Sequence, residues 1–286
     1  MKSNITFLLL FVLVLLSNTA HSQKYVDNSE MIVIDTSIIT IRYQLAMVED
    51  TTLIEKVSMD LVQLEIGRSI SRCHSIHLQQ YDSTCCSWLE RGKKSFPSSP
   101  KDDVFPVDVY KQNGGSGMFV IQRLPLPMGP IMEYSEEKSI FEWQLKQGKK
   151  NVAGYDCEKA ECVLRGRRWT AWFTREIPFS EGPWKFVGLP GTILQIEDNN
   201  SHFSFTCICV KKEQIPILLQ KEGIRIKSDR ENTRVLEALY YDDMIAYIKR
   251  VQPEMKIQIS RKDGSSYEAK TEQKAKPQPF NPIELE

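Results

Sequence analysis

The chain has 286 residues, 26% of them charged, with 37 basic side chains against 37 acidic ones. That balance supplies no bulk field to hold a nucleic acid or an acidic membrane surface, so both partner classes are excluded as charge-driven ones. The length is ample for one or two domains with a sizeable core.

The chain opens "MKSNITFLLLFVLVLLSNTAHSQ". Lys2 precedes an apolar run from Phe7 to Leu16, and Ala20 and Ser22 place small residues before Gln23. This pattern predicts a secretory signal peptide over 1–22 and a periplasmic or secreted mature chain. The run is short for a membrane span, and no later segment is apolar enough to cross a bilayer. Losing Lys2 leaves 36 basic and 37 acidic side chains, a net charge of −1.

"SIITIRYQLAM" (37–47) alternates, with Ile39, Ile41, Tyr43, Leu45 and Met47 on one face, as a half-buried strand does. "DLVQLEIG" (60–67) repeats the pattern. Residues 91–117 are rich in Pro, Ser, Gly and charge and read as a flexible surface loop. Alternation returns at 140–145, and "QGKKN" (147–151) reads as a turn. Residues 152–174 read as two strands joined at Arg165-Gly166-Arg167, where Gly166 provides the free φ of a tight hairpin. Residues 192–196 and 202–210 form another pair around a polar turn. One helix is expected over 233–251, stopped by Pro253. The signal aside, these elements predict a single β-rich domain over 23–270 and a tail over 271–286 without its own core.

The fold class expected is mainly β, of the α+β kind. It is a curved antiparallel sheet with one helix in the C-terminal half. Such a sheet is analogous to half-barrels whose concave face takes apolar molecules, though fold alone does not give function.

"EIPFSEGPWKFVGLPGTILQIED" (176–198) concentrates backbone punctuation. Gly182-Pro183 gives one bend. Leu189-Pro190-Gly191-Thr192 fits a type II turn with positive φ at Gly191, and Gly188 adds freedom before it. The stretch reads as a structural corner between strands more readily than as a ligand loop. Glu176, Glu181 and Asp198 read as solvated turn residues.

Binding candidates are Arg167, whose rigid fork suits a carboxylate or phosphate, and Trp169, Trp172 and Trp184, which line either an apolar cavity or the core. Seven cysteines are present, an odd number. Export permits disulfides, and Cys157, in the strand-rich centre, is the candidate participant. Cys73, His74, His77, Cys85 and Cys86 are the right donors for zinc or copper, but their spacing matches no zinc signature, and no metal or cofactor is expected. No Gly-x-Ser-x-Gly or His-Glu-x-x-His motif occurs.

"YDCEKA" (155–160), "RGRRWTAWFTREIPFSEGPWKFVGLPGTILQIED" (165–198) and "FNPIELE" (280–286) together resemble the GLPGLI family of exported proteins from the Bacteroides group. Thr192 stands where the family motif has Leu. The resemblance implies export and a shared fold, and it assigns no catalytic residue. The reading that results is a non-enzymatic binding or accessory protein, whose partner is an envelope protein or an apolar small molecule. The alternatives are an envelope hydrolase or thiol enzyme, and a metal-handling protein.

Overall fold

The structure is a computed structural model that describes residues 31–93, 104–125, 129–221, 225–260, 265–269 and 273–286. The expected signal peptide therefore lies outside the described residues, as does 94–103 of the expected loop.

In chain order the elements are β1 (Met31–Val48), β2 (Val57–Gly67), β3 (Ile70–Ser75), α1 (Ile76–Glu90), β4 (Val107–Gln112), β5 (Gly117–Arg123) and β6 (Ile131–Glu137). A short 3-10 turn, Lys138–Ile140, leads to β7 (Gln144–Val152), β8 (Tyr155–Leu164), β9 (Arg167–Thr174), β10 (Thr192–Asp198) and β11 (Phe203–Lys211). The chain ends with β12 (Pro216–Gln220), β13 (Arg225–Lys227), α2 (Arg230–Asp242), α3 (Met244–Val251), β14 (Gln258–Ser260) and β15 (Ser266–Glu268). Among the described residues one sheet holds thirteen strands, in the order β13-β6-β5-β4-β3-β2-β1-β11-β10-β9-β8-β7, with β12 pairing the first half of β1. All pairs are antiparallel except β13 with β6, and β14 pairs β15 apart from the main sheet.

This order forces the sheet to curl. From β6 to β7 it counts ten strand spacings, about 48 Å if flat. Yet Glu137 and Gln144 are joined by only seven Cα steps, about 25 Å at full stretch. The two ends of the sheet must therefore approach each other. An ion pair spans the seam: Arg165, in the β8–β9 turn, lies 2.9 Å from Glu136 on β6. The free edge at β7 is solvated and carries Lys146, Lys149 and Lys150, charges that discourage pairing with another chain.

Alternation explains the core. Tyr43, Leu45, Val62, Leu64, Val109, Val120, Ala171, Phe173 and Phe205 all point to the inside of the curl and pack in one cluster. Residues 176–191 fill that inside. Trp184 and Phe186 belong to the same cluster, and contacts from β3 and β4 pin the segment to the sheet. Just beyond the segment, the buried Tyr43 hydroxyl on β1 donates to the Ile193 carbonyl on β10 at 2.7 Å. The Trp184 amide donates to Cys73 Sγ at 3.0 Å. Lys111, fully buried on the inner face of β4, donates to the Gly182 carbonyl at 2.7 Å and pairs with Glu181 at 2.8 Å. The concave face that the half-barrel analogy leaves for a ligand is thus occupied by the chain itself.

Several expectations need correction. The 91–117 segment contains β4, which pairs with β3 and β5. Residues 147–151 lie in β7, with a register shift between Lys146 and Lys149, and the turn falls at Ala153-Gly154. The expected helix over 233–251 is two helices. Asp243 breaks it by accepting hydrogen bonds from the Ile245 and Ala246 amides, as an N-cap does. A further helix, α1, covers 76–90 and takes in most of the Cys- and His-bearing stretch 73–86, where no helix was expected. The tail also belongs to the core, since Asn281 and Glu284 are buried.

The Leu189–Thr192 corner is not a closed type II turn. The Thr192 amide donates to Ile177 O at 3.1 Å rather than back to Leu189. Gly191 has φ +159°, close to extended backbone. It is needed for space: a Cβ there would sit 2.1 Å from the Thr174 carbonyl oxygen. Gly191→Ala is expected to destabilise the fold by about 2–3 kcal/mol, as overpacking does. An unchanged thermal midpoint would refute that close approach.

Candidate functional site

The sequence candidates are scattered by the fold. Arg167, at the start of β9, is 2% exposed and clamps the C-terminal segment. Its Nη1 donates to Asp198 at 2.8 Å, its Nη2 to Asn281 Oδ1 and Pro282 O at 2.6 Å each, and its Nε to Ile283 O at 3.1 Å. Every arm of the fork is used internally. Trp169 and Trp184 are core residues, 6.3 Å apart ring to ring, each packed on Phe186. Trp172 faces the other side of β9, half-buried beneath Lys150. The three tryptophans do not line a common groove. Glu181 and Asp198 are buried partners of Lys111 and Arg167, contrary to the solvated reading, whereas Glu176 is exposed. Gly166 holds φ +78° in the β8–β9 turn and Gly188 holds φ +100°. Gly182 and Pro183 begin the bend whose turn closes from the Phe186 amide to Pro183 O.

The seven cysteines are free thiols, Cys157 among them. Burial pushes Cys73 and Cys162 up to about 12 and Cys157 and Cys207 up to about 11, and it raises Cys85 in the same direction. These five stay protonated at neutral pH and offer no ready thiolate. Strand alternation also splits the residues weighed as metal donors. On β3, Cys73 points into the core while His74 points to the opposite face and meets Glu65 at 3.1 Å. His77 pairs with Asp60 at 2.8 Å. Among the described residues no three His, Cys, Asp or Glu side chains converge as a metal site would need.

A polar cavity of about 40 Å³ lies on the outer face of β3–β5, under α1 and β12. Strand pairing builds it. Arg72 on β3 sits opposite Tyr110 on β4, and Asp108 is two residues along on the same face. Arg72 donates to Asp108 Oδ2 through Nη2 at 2.7 Å and Nε at 3.2 Å. Across the cavity, Arg123 on β5 forms a two-armed pair with Asp82 on α1. The Tyr110 hydroxyl donates to Leu218 O at 2.8 Å and ties β12 over the cavity. Burial opposes charge at Asp108, but Arg72 and then His74 hold its pKa below the ordinary carboxylate value.

Two buried donors on residues that line this cavity have no partner: Arg72 Nη1 and Gln220 Nε2, on residues 4% and 3% exposed. A buried donor left unpaired costs about 1–3 kcal/mol, so such atoms call for an explanation. None of these residues was singled out from sequence. The available signal was "SRCHS" (71–75), where Arg72 and His74 put charge on the face of a strand whose other face is core.

A second charged cluster ties the seam. Lys185, buried in the 176–191 plug, lies 2.5 Å from Glu136 on β6 and 2.8 Å from Glu284 in the C-terminal segment, and Arg230 at the start of α2 reaches Glu284 at 3.3 Å. Burial, with Glu284 near, pushes Glu237 on α2 up to about 7, against the hydrogen bond from Gln122 and the pull of Lys185. That folded value lies above the ordinary 4.5. Glu237 therefore contributes stability fully below its unfolded pKa and loses it as pH rises through about 7. Glu237→Gln is expected to match the parent's melting midpoint near about pH 4 and to exceed it near about pH 8. Equal midpoints at both values would count against this placement.

Fold and cavity together define the class: a curled, internally plugged β-sheet with a small polar recess on its outer face. The profile of a family described as "Protein of unknown function (Porph_ging)" matches residues 161–195, which hold the β8–β9 turn and the whole plug. No curated protein matches the chain. Two solved structures of PNGF-II, in C2 and P21 space groups, are similar at 14% and 13% identity, with TM-scores of 0.45 and 0.43. Each comparison covers 70% of this chain and 32% of the other, so the chain spans about a third of those proteins' length.

Proposed function

We propose that this is an exported, non-enzymatic binding or accessory protein of the cell envelope, of the GLPGLI kind. The observation that carries the binding role is the recess of about 40 Å³ walled by the Arg72–Asp108 and Arg123–Asp82 ion pairs. The filled interior favours a small polar ligand over the apolar one expected from the tryptophans. The raised thiol pKa values speak against the thiol-enzyme alternative. Export and envelope location rest on the charged start, the apolar run and the GLPGLI resemblance. Native mass spectrometry of protein purified from envelope extract tests the binding role. A bound small molecule that Gln220→Met removes would support it. A bare chain under gentle ionisation would refute it.

A further inference from the structure

We infer that Lys185 condenses with Glu284 to form an amide between their side chains, a covalent tie across the seam that the protein makes on itself. Lys185, in the plug, is 1% exposed, and its Nζ stands between two buried carboxylates. Glu136 Oε2 on β6 is 2.5 Å away, and Glu284 Oε1 in the C-terminal segment accepts a hydrogen bond at 2.8 Å. The Tyr134 and Trp184 rings flank the ammonium, each with its centroid 5.1 Å from Nζ. An amine and a carboxyl are thus fixed in contact, a second carboxyl touches the same amine, and aromatic walls keep bulk water out. Such fixed contact replaces a bimolecular encounter and removes its entropic barrier.

The two glutamates take different roles. Glu136 Oε1 meets Arg165 at 2.9 Å and Arg230 Nε at 3.8 Å, and these cations keep it ionised as the base. Glu284 turns its other oxygen, Oε2, to Arg230 Nη1 at 3.3 Å, where negative charge develops when the carboxyl carbon is attacked. One proton passes from Nζ to Oε1 of Glu284. The Nζ lone pair then attacks Cδ of Glu284 while Glu136 takes a second proton from Nζ, and the electron pair of the C=O bond moves to Oε2 beside Arg230. As that pair returns, the Cδ–Oε1 bond breaks, and Oε1 collects the proton from Glu136 and leaves as water. One ammonium and one carboxylate become one amide and one water, and both hydrogens of the water come from Nζ. Burial opposes the charge on Lys185, but Tyr134, Glu284 and Glu136 hold its pKa above the ordinary lysine value. The protons therefore pass to the carboxylates that touch the amine and not to solvent. The product removes two buried charges, whose desolvation weighs against the ion pair. It also closes a covalent loop from the plug to the C-terminal segment without a cysteine, in a chain whose seven cysteines are free thiols.

Mass spectrometry of the full chain tests this. The purified folded protein is held at neutral pH for several days, then denatured and digested with trypsin. A branched peptide is expected that joins Lys185 to Glu284 and is lighter than its two parts by one water, about 18 Da. Cleavage after Lys185 should be absent. Lys185→Arg keeps a cation between the carboxylates and has no amine to condense, so its Glu284 peptide should be unbranched. Glu136→Gln leaves the reacting pair and removes the base, and it should slow formation of the branched peptide by about a hundredfold or more. The inference is overturned by complete cleavage after Lys185 in the parent, by an amide to Glu136 in place of Glu284, or by Glu136→Gln forming the bond as fast as the parent. If either variant fails to fold, the parent's digest decides by itself.

Discussion

Trp184→Ala is expected to lower the unfolding free energy by about 3–5 kcal/mol, the cost of deleting a large buried aromatic. Trp184 is 2% exposed and sits between Trp169 and Phe186, with ring centroids 6.3 and 5.2 Å away. It is the side chain that fills the curled sheet, so truncation leaves a cavity that the thirteen-stranded frame cannot collapse around. Its backbone supplies a second test. Trp184 has φ +50°, a left-handed conformation that side chains with a Cβ adopt at a cost. Alanine keeps that cost and glycine removes it. Trp184→Gly should therefore be less destabilising than Trp184→Ala by about 1 kcal/mol, although glycine normally costs more. Chemical denaturation of the two variants decides. If glycine is the worse of the two, the strained turn at Pro183–Phe186 is wrong.

Arg167→Met should cost about 3–5 kcal/mol and release the C-terminal segment. The change strips the cation from buried Asp198, whose Oδ1 already accepts the His202 and Phe203 amides at 2.7 and 2.9 Å. It also leaves the Pro282 and Ile283 carbonyls without their donor. Adding Asp198→Asn should recover part of the stability, because the uncompensated charge goes, but should not restore the segment. The readout is hydrogen exchange at the Leu285 amide, which donates to Arg165 O at 2.9 Å. That amide should exchange faster in both variants. Protection equal to the parent's would show that Lys185 and Arg230, through Glu284, hold the segment without Arg167.

Strands were legible wherever a core face alternates with a solvated one. Tyr43 and Leu45 in β1, and Ala171 and Phe173 in β9, announce themselves through period two. Helix α1 was not, because "IHLQQYDSTCCSWLE" buries only Leu78, Asp82, Cys85 and Cys86 and shows little apolar periodicity. Asp243 was read inside a helix because its capping role depends on where its carboxylate turns, and Ala275, far along the chain, shares it. The candidate recess was hidden for a stronger reason. Its members come from β1, β3, β4, β5, β6, α1 and β12, and they form no recognised sequence motif.

The sequence by itself determined the class of secondary structure, the β8–β9 hairpin at Gly166 and the turn-rich character of 176–191. Each rests on short-range backbone preference or on alternation within a single strand. Only the tertiary structure decided that 176–191 is a plug rather than a corner. It also decided that Lys111 and Lys185 are buried, that Arg167 grips the tail and that Arg72 keeps a free donor. Those outcomes follow from curling a long sheet so that its ends approach each other, which brings residues more than a hundred positions apart into hydrogen bonds that no local pattern encodes.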